Sequence, residues 1–305
     1  MKKILFVNPS LRLYSSTKFL PVGIASVMSY LRSFKIDFDF LDIDINDMED
    51  NTVEDFLEDN RYDIILSGSI VTHYKWMKWF TKRVRDFNKN ATIVIGNSVA
   101  GSIPEVFLKN SSADIAVMGE GEITTAEVVQ KILKGEENWE VVAGIAYKNK
   151  DGKIYINEKR KGLKKLDDFP MINWENFETE KYFEKSYAGA HAIDDKKVRV
   201  MPLVTARGCA FRCTFCHFVF WNDPYRYRSP ENILLELKRN LVDYNCNYIT
   251  FWDDLSFASL PQAERFADAI LASGLKFNWN AAVRVDLFGN CLLYTSPSPR
   301  DATLS

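Results

Sequence analysis

The sequence predicts an α/β protein: an open, mostly parallel sheet over the first 135 residues, then a second strand-helix series from about residue 196. Three observations predict it. Short apolar runs alternate with amphipathic stretches through the first 120 residues, which is how helices cover both faces of a parallel sheet. Turns containing Gly, Ser or Asn follow several of these runs. The alternation resumes at residue 200 after a stretch with no clear period. A chain of 305 residues accommodates about two domains.

Residues 3–7 form the first expected strand, followed by a loop through Pro21 and a helix over about 23–34. Residues 39–43 and 63–66 are the second and third strands, short and apolar enough to be buried on both faces. Trp76, Trp79, Phe80, Arg83, Val84 and Phe87 recur at three- and four-residue spacing, so they form a helix pressed on that sheet. Residues 91–95 and 115–118 supply the fourth and fifth strands, and 123–134 a further helix. Residues 141–147 and 153–156 read as strands about the turn Lys150-Asp151-Gly152. Residues 159–199, aromatic and mixed in charge with Pro170 near the centre, read as a linker packed between domains. The second series comprises strands over 200–205, 248–252 and 277–283 and helices over 230–244 and 261–273. Pro230 and Pro261 suit first helical turns, where a missing amide hydrogen costs nothing.

Hydrophobic residues make up 47% and charged residues 26% of the chain, an ordinary globular balance. Lys and Arg number 39 against 41 Asp and Glu, for a net charge of −2. That gives no electrostatic case for nucleic acid as the main partner. The apolar run at the start stops at Asn8-Pro9, too short for a secretory signal, and no stretch of roughly 18 apolar residues marks a membrane span. The expected location is the cytoplasm. The five cysteines stand at 209, 213, 216, 246 and 291. An odd number, with three inside eight residues, argues for a metal or redox site rather than a disulfide framework.

An open parallel sheet binds ligands at the carboxyl ends of its strands. The loops expected there are Asn8-Pro9-Ser10, Ser67-Gly68-Ser69, Gly96-Asn97-Ser98 and Gly119-Glu120-Gly121-Glu122. None matches GxGxxG or a phosphate-binding GxxxxGK[ST] loop. In the second half, Arg207-Gly208-Cys209-Ala210-Phe211-Arg212-Cys213-Thr214-Phe215-Cys216 follows the first strand. Its C-x3-C-x2-C spacing lets one compact loop offer three soft thiolates to an iron-sulfur cluster or to zinc. Zinc wants a fourth ligand, and His217, adjacent to Cys216, falls outside the usual spacings. Three cysteines on a [4Fe-4S] cube leave one iron open. Cys246, distant from this loop in sequence, reads as an inert thiol.

The cysteine loop, with Phe215 inside its last x2, resembles the radical S-adenosylmethionine superfamily. That resemblance implies a [4Fe-4S] cluster on Cys209, Cys213 and Cys216, with S-adenosylmethionine on the open iron and Phe215 beside the cofactors. It further implies one-electron cleavage of the sulfonium, giving methionine and a 5'-deoxyadenosyl radical. The opening VNP, the later MGEGE and the element order of residues 1–135 resemble the cobalamin-binding domain joined to many such enzymes. The implied fold is a Rossmann-like open sheet of cobalamin-binding type over 1–135, a small β extension and linker over 136–195, and part of a radical-type (βα) barrel over 196–290. Asn8, Ser67, Ser69, Gly96, Gly119 and Gly121 are the cobalamin candidates by resemblance. The first loop lacks the histidine of D-x-H-x-x-G, and His73 reads as a surface or capping residue. Asn97 stands where the family commonly has the second of two glycines.

Arg228-Ser229-Pro230-Glu231-Asn232, Phe251-Trp252-Asp253-Asp254 and Arg284-Val285-Asp286 also resemble the combined family. By resemblance Asp253 and Asp254 approach S-adenosylmethionine, and Arg284 contacts its carboxylate with Asp286 orienting it. Structural readings stay open for all four: a helix cap at the strand end or an internal ion pair. Arg212, Arg226, Arg228, Lys196 and Lys197 offer either dispersed charge or a surface for a flavodoxin- or ferredoxin-like electron donor. The implied activity is methyl transfer to an unactivated carbon or phosphorus of a small-molecule substrate. A ring-forming oxidase and a non-catalytic binding module are the alternatives. Residues 291–305 change character, and CLLYTSPSPRD resembles the in-frame translation of a transposase sequencing adapter. The expectation is an artefactual tail standing in place of further βα units.

Overall fold

The computed structural model describes residues 2–186, 198–216, 223–284 and 287. The tail from 291, together with Lys196, Lys197, His217 and Asp286, lies outside the described residues. The chain divides into two compact units, Met1–Leu163 with Phe169–Tyr187, and Lys164–Asp168 with the described residues from 198 onward.

The first unit runs β1 (Ile4–Asn8), α1 (Val22–Ser33), β2 (Asp39–Asp42), α2 (Asp50–Asp59), β3 (Ile64–Gly68), α3 (Tyr74–Phe87) and β4 (Thr92–Gly96). It continues through two short helices, α4 (Ser98–Gly101) and α5 (Pro104–Lys109), to β5 (Ile115–Val117), α6 (Gly121–Lys134), β6 (Ile145–Lys148), β7 (Ile154–Ile156) and α7 (Thr179–Glu184). The seven strands form one sheet in the order β2-β1-β3-β4-β5-β6-β7. Its first five strands are parallel, while β6 and β7 add an antiparallel edge. The chain leaves β1 to one side for β2 and returns to its other side for β3. That reversal leaves a crevice at the carboxyl ends, where α/β sheets bind ligands.

Burial explains the strand sequences. Ile4, Leu5, Phe6 and Val7 of β1 are all buried, as are Ile64, Ile65 and Leu66 of β3, so neither face of the central strands meets water. The helix expected from the Trp76–Phe87 pattern is α3, which buries Met77, Phe80 and Val84 against the sheet. The strand expected over 141–147 starts later, at Ile145. A 3-10 turn over Trp139–Val141 precedes it, and Gly144 has a left-handed φ of 80°, so the chain cannot be extended there.

The segment read from sequence as a linker is, over 169–186, part of the first unit's packing. Trp174, Tyr182 and Phe183 are fully buried. The Asn173 amide donates to Ser29 Oγ at 2.8 Å, and the Phe177 ring lies 4.7 Å from that of Phe40 on β2. Aromatic side chains in an aperiodic stretch bury area without any regular element to announce it.

The second unit runs β8 (Val200–Leu203), β9 (Ala206–Arg207), β10 (Arg226–Tyr227), α8 (Pro230–Asp243), β11 (Tyr248–Phe251), α9 (Leu260–Ser273) and β12 (Asn278–Asn280). Its parallel sheet has the order β12-β11-β8, and β9 with β10 makes an antiparallel ribbon. Pro230 and Pro261 stand in the first turns of α8 and α9. Ser229 caps α8 by accepting from the Asn232 amide at 3.2 Å. Phe251, Phe257 and Phe266 are buried between the sheet and α9 and touch one another, and Phe251 and Phe266 also meet the Trp279 ring of β12. Among the described residues, no helix is long and apolar enough to cross a membrane.

Two rim positions of the first sheet both favour glycine, and only one of them has it. A Cβ added to Gly68 would sit 3.0 Å from the Gly96 carbonyl carbon and oxygen, whereas Asn97 holds φ 62° and ψ −172°, a region costing a side chain about 1–3 kcal/mol. Gly68→Ala is therefore expected to lower the thermal midpoint of unfolding and Asn97→Gly to raise it, each by about 1–2 kcal/mol in stability. Thermal and urea denaturation of the two variants beside the parent checks both signs.

Candidate functional site

The sheet brings the expected loops of the first unit to one rim. Asn8 ends β1, Ser67 and Ser69 bracket the end of β3, and Gly96 ends β4. Val7 pairs with Ser67 and Gly68 with Gly96, so these positions lie side by side. Gly119 follows β5 with φ 77°, and Gly121 is the first residue of α6. A Cβ at Gly96 would meet only Val117, at 3.9 Å. Gly96 thus leaves open space at the end of β4, whereas a Cβ at Gly119 would meet Lys159 at 3.7 Å and one at Gly121 would meet Val27 at 3.4 Å.

The polar side chains on the rim are committed to one another. Ser67 Oγ donates to the Val7 carbonyl at 2.9 Å. Asn8 Nδ2 donates to Asp42 Oδ1 at 2.7 Å, and the Tyr182 hydroxyl donates to Asp42 Oδ2 at 2.8 Å. Burial pushes the Asp42 carboxyl up to about 6, partly countered by those two donors and by the Ile45 amide. Ser69 Oγ lies 3.1 Å from His73 Nδ1, and the His73 ring stacks on Trp76 at 4.9 Å. His73 is half-buried beside a rim serine and stands at the N-cap position of α3, as expected of a capping residue, although its side chain makes no capping bond, and burial holds its pKa below the ordinary value.

Next to this rim, Lys18 is buried between Asp44 and Asp47, at 2.9 Å from each. Burial opposes its charge, but hydrogen bonds to the two carboxylates outweigh that and raise its pKa. Lys185 adds a second cation on Asp47 at 2.7 Å. Although burial works the other way, the two lysines and the Tyr14 amide hold Asp47 down to about 2. The knot ties the loop after β1 to the turn after β2. Beside it lies an open groove of about 560 Å³, with Ser10, Leu13, Met48 and Trp76 among its lining residues.

In the second unit the cysteine loop leaves the carboxyl end of β8 and is closed at its base by the β9–β10 ribbon, which pairs Arg207 with Arg226. Gly208, just before the first cysteine, has φ 80°, and a Cβ there would fall 2.9 Å from the Pro224 carbonyl oxygen. Only glycine fits where the two arms of the loop cross. Cys209, Cys213 and Cys216 are unpaired thiols, two half-buried and Cys216 exposed. The Cys216 amide donates to the Cys213 carbonyl at 3.0 Å, turning the loop back on itself. Among the described residues, no three His, Cys, Asp or Glu side chains form a group that could hold a metal ion. The donor set itself fits a [4Fe-4S] cluster: three unpaired soft ligands within eight residues, at the strand end where such folds place chemistry. Phe215 is 90% exposed.

Asp253, just past β11, supports this loop from below. Its Oδ1 accepts from the Thr205 and Ala206 amides at 2.8 and 3.0 Å, and Oδ2 accepts from the Thr205 hydroxyl at 2.5 Å. Burial raises its pKa, with those donors pulling the other way. Asp254 presents an exposed side chain, although the protein around it and the Asp253 charge raise its pKa. Arg284 reaches the loop from beyond β12: Nη1 donates to Cys213 Sγ at 3.4 Å, and Cζ lies 4.0 Å over the Phe211 ring. Arg226 and Arg228 do not offer a charged surface to a partner. Both are buried, and Arg228 is engaged by Glu236 at 2.5 Å and the Val204 carbonyl at 2.8 Å. Cys246 is also buried, and its thiol is pushed up to about 12 by that burial.

Sequence reasoning misses Asp42, Tyr182, Lys18, Gly208 and Phe211. Acidic residues in the otherwise apolar run Asp39-Phe40-Leu41-Asp42 are the one visible signal for Asp42, since a buried strand carries a charge only where donors await it. Tyr182 lies 140 residues away from its carboxylate, and nothing local marks it.

Residues 12–129 match the B12 binding domain family and residues 203–281 the Radical SAM superfamily. An uncharacterized methyltransferase of Pyrococcus horikoshii is 26% identical over 297 residues, covering 94% of this chain and 61% of its own length. Cytidylyl-2-hydroxyethylphosphonate methyltransferase of Streptomyces wedmorensis is 24% identical, with 90% and 59% covered. Anaerobic magnesium-protoporphyrin IX monomethyl ester cyclase of Rubrivivax gelatinosus is 24% identical, with 93% and 50% covered. The chain therefore spans about half to three-fifths of these relatives. Among solved structures, the cobalamin-dependent S-adenosylmethionine radical enzyme OxsB with aqua-cobalamin and S-adenosylmethionine bound superposes with a TM-score of 0.78 at 21% identity, covering 95% of this chain and 40% of that one. The chain thus carries a B12 binding domain over residues 12–129 and a Radical SAM domain over residues 203–281.

The buried Asp42 gives the first unit a defined pH response. Its carboxyl is raised from 3.8 to about 6 in the fold, so its contribution is fully present below pH 3.8 and is lost as pH rises through about 6. Asp42→Asn removes that dependence. Urea denaturation between about pH 4 and pH 7 should show the parent losing on the order of 3 kcal/mol relative to the variant; a constant difference across that range contradicts the assignment.

Proposed function

We propose that this radical SAM protein binds a [4Fe-4S] cluster through Cys209, Cys213 and Cys216, binds cobalamin on the carboxyl rim of its first sheet, and serves methyl transfer from S-adenosylmethionine to carbon or phosphorus of a small molecule. The observation that carries the reading is the pairing, in one chain, of a glycine-containing rim at a sheet switch point with a three-thiol loop clamped at a parallel strand end. When bound, the cluster and cobalamin supply the electron transfer and the methyl-carrying capacity.

The chain's own residues do the placing. Asp253 and Arg228 hold residues 204–206, from which the thiol loop springs. Asp254, whose side chain is exposed, is the carboxylate offered to S-adenosylmethionine. Asn8, Ser67, Ser69, Gly96, Gly119 and Gly121 shape the cobalamin rim, with Asp42 and Tyr182 fixing Asn8. A flavodoxin- or ferredoxin-like donor supplies the electron, in the cytoplasm, and Arg212, exposed on the thiol loop, is a contact for it.

Anaerobic reconstitution with iron and sulfide is expected to give the absorbance and reduced-state EPR signal of a [4Fe-4S] cluster, lost in each of Cys209→Ala, Cys213→Ala and Cys216→Ala. Added hydroxocobalamin should be retained through gel filtration, and Gly96→Leu should cut that retention at least tenfold without lowering the thermal midpoint. With reductant and S-adenosylmethionine, 5'-deoxyadenosine should form, and methylated product should form with the right acceptor. Formation of 5'-deoxyadenosine with an oxidised, unmethylated product would instead assign a ring-forming activity, and failure to take up any cluster would overturn the reading.

A further inference from the structure

We infer that Arg284 sets the redox poise of the cluster through Cys213, an assignment that rests on the cluster-binding reading above and differs from the carboxylate-binding role that resemblance implies. Two contacts carry it. Nη1 donates to Cys213 Sγ at 3.4 Å, and the guanidinium carbon sits 4.0 Å over the Phe211 ring. The first aims a hydrogen bond at a cluster sulfur. The second holds the cation in place by attraction to the ring face.

The placement is long-range. Arg284 lies 71 residues from Cys213, four beyond the last residue of β12, and its carbonyl accepts from the Leu287 amide at 3.1 Å. The carboxyl end of the third strand thus delivers a cation to the loop that follows the first. Arginine keeps its charge at any accessible pH and offers a planar set of donors. A fixed positive charge beside a thiolate ligand favours the state carrying one more electron, and hydrogen bonds to cluster sulfurs are a recognised lever on potential. Phe211, inside the x3 of the cysteine spacing, becomes the platform for that lever.

The test is an EPR-monitored potentiometric measurement on the reconstituted full chain without S-adenosylmethionine. Arg284→Met is expected to lower the midpoint potential, leaving about tenfold less reduced relative to oxidised cluster at the parent midpoint, a shift of ~59 mV for one electron. Arg284→Lys should recover most of that shift, and Phe211→Leu should lie between Met and parent. An unchanged midpoint in Arg284→Met, accompanied by a tenfold or greater loss of S-adenosylmethionine affinity in equilibrium dialysis, would overturn the inference and assign Arg284 to the carboxylate. If the Met variant assembles no cluster, the Lys and Leu variants decide: midpoints equal to the parent's in both overturn it. Absence of iron in the parent chain itself would show before any potential is measured, and there it is the cluster reading that fails, taking this inference with it.

Discussion

A carboxylate set at the carboxyl end of a parallel strand, accepting several hydrogen bonds from neighbouring segments of the chain, is the constraint on which the arrangement of each unit depends. Asp253 accepts two backbone amides and a hydroxyl from Thr205 and Ala206, so the chain leaving β8 must turn where those donors meet it. The β9–β10 ribbon, the glycine crossing at Gly208 and the thiol loop all follow from that turn. Asp42 plays the equivalent part in the first unit, taking Asn8 from the end of β1 and Tyr182 from α7.

Such groups are costly when unsatisfied. A buried carboxylate lacking partners would neutralise or unfold its surroundings, whereas one that accepts several hydrogen bonds specifies a geometry. Both aspartates have raised pKa values because burial opposes their charge, so they give specificity to the loops more than net stability. Lys18 shows the contrary balance. Two carboxylates around one buried ammonium overcome its desolvation, and the loop after β1 is held by charge rather than by a regular element.

Much of the framework is legible because it obeys short-range rules. The apolar runs at β1, β3 and β4 follow from burial on both faces, α3 from its aromatic spacing, and the starts of α8 and α9 from Pro230 and Pro261. The thiols are legible because C-x3-C-x2-C is itself local. The delayed start of β6 escapes, since Val141, Val142 and Ile145 have strand-like side chains and only the backbone at Gly144 forbids extension. Residues 169–186 escape because Trp174 and Tyr182 are buried without periodicity.

The sequence by itself determined that the chain is α/β, that five strands alternate with helices before a second series begins, and that three thiols share a loop after a strand. These are consequences of periodicity, burial preference and spacing over a few residues. The tertiary structure alone decided which side chains surround them: that β1 sits at the switch point, that Tyr182 crosses 140 residues to Asp42, that Arg226 and Arg228 are inside, and that Arg284 crosses 71 to Cys213. Those pairings depend on how distant strand ends meet in space, and no local rule carries the sum of all the turns between them.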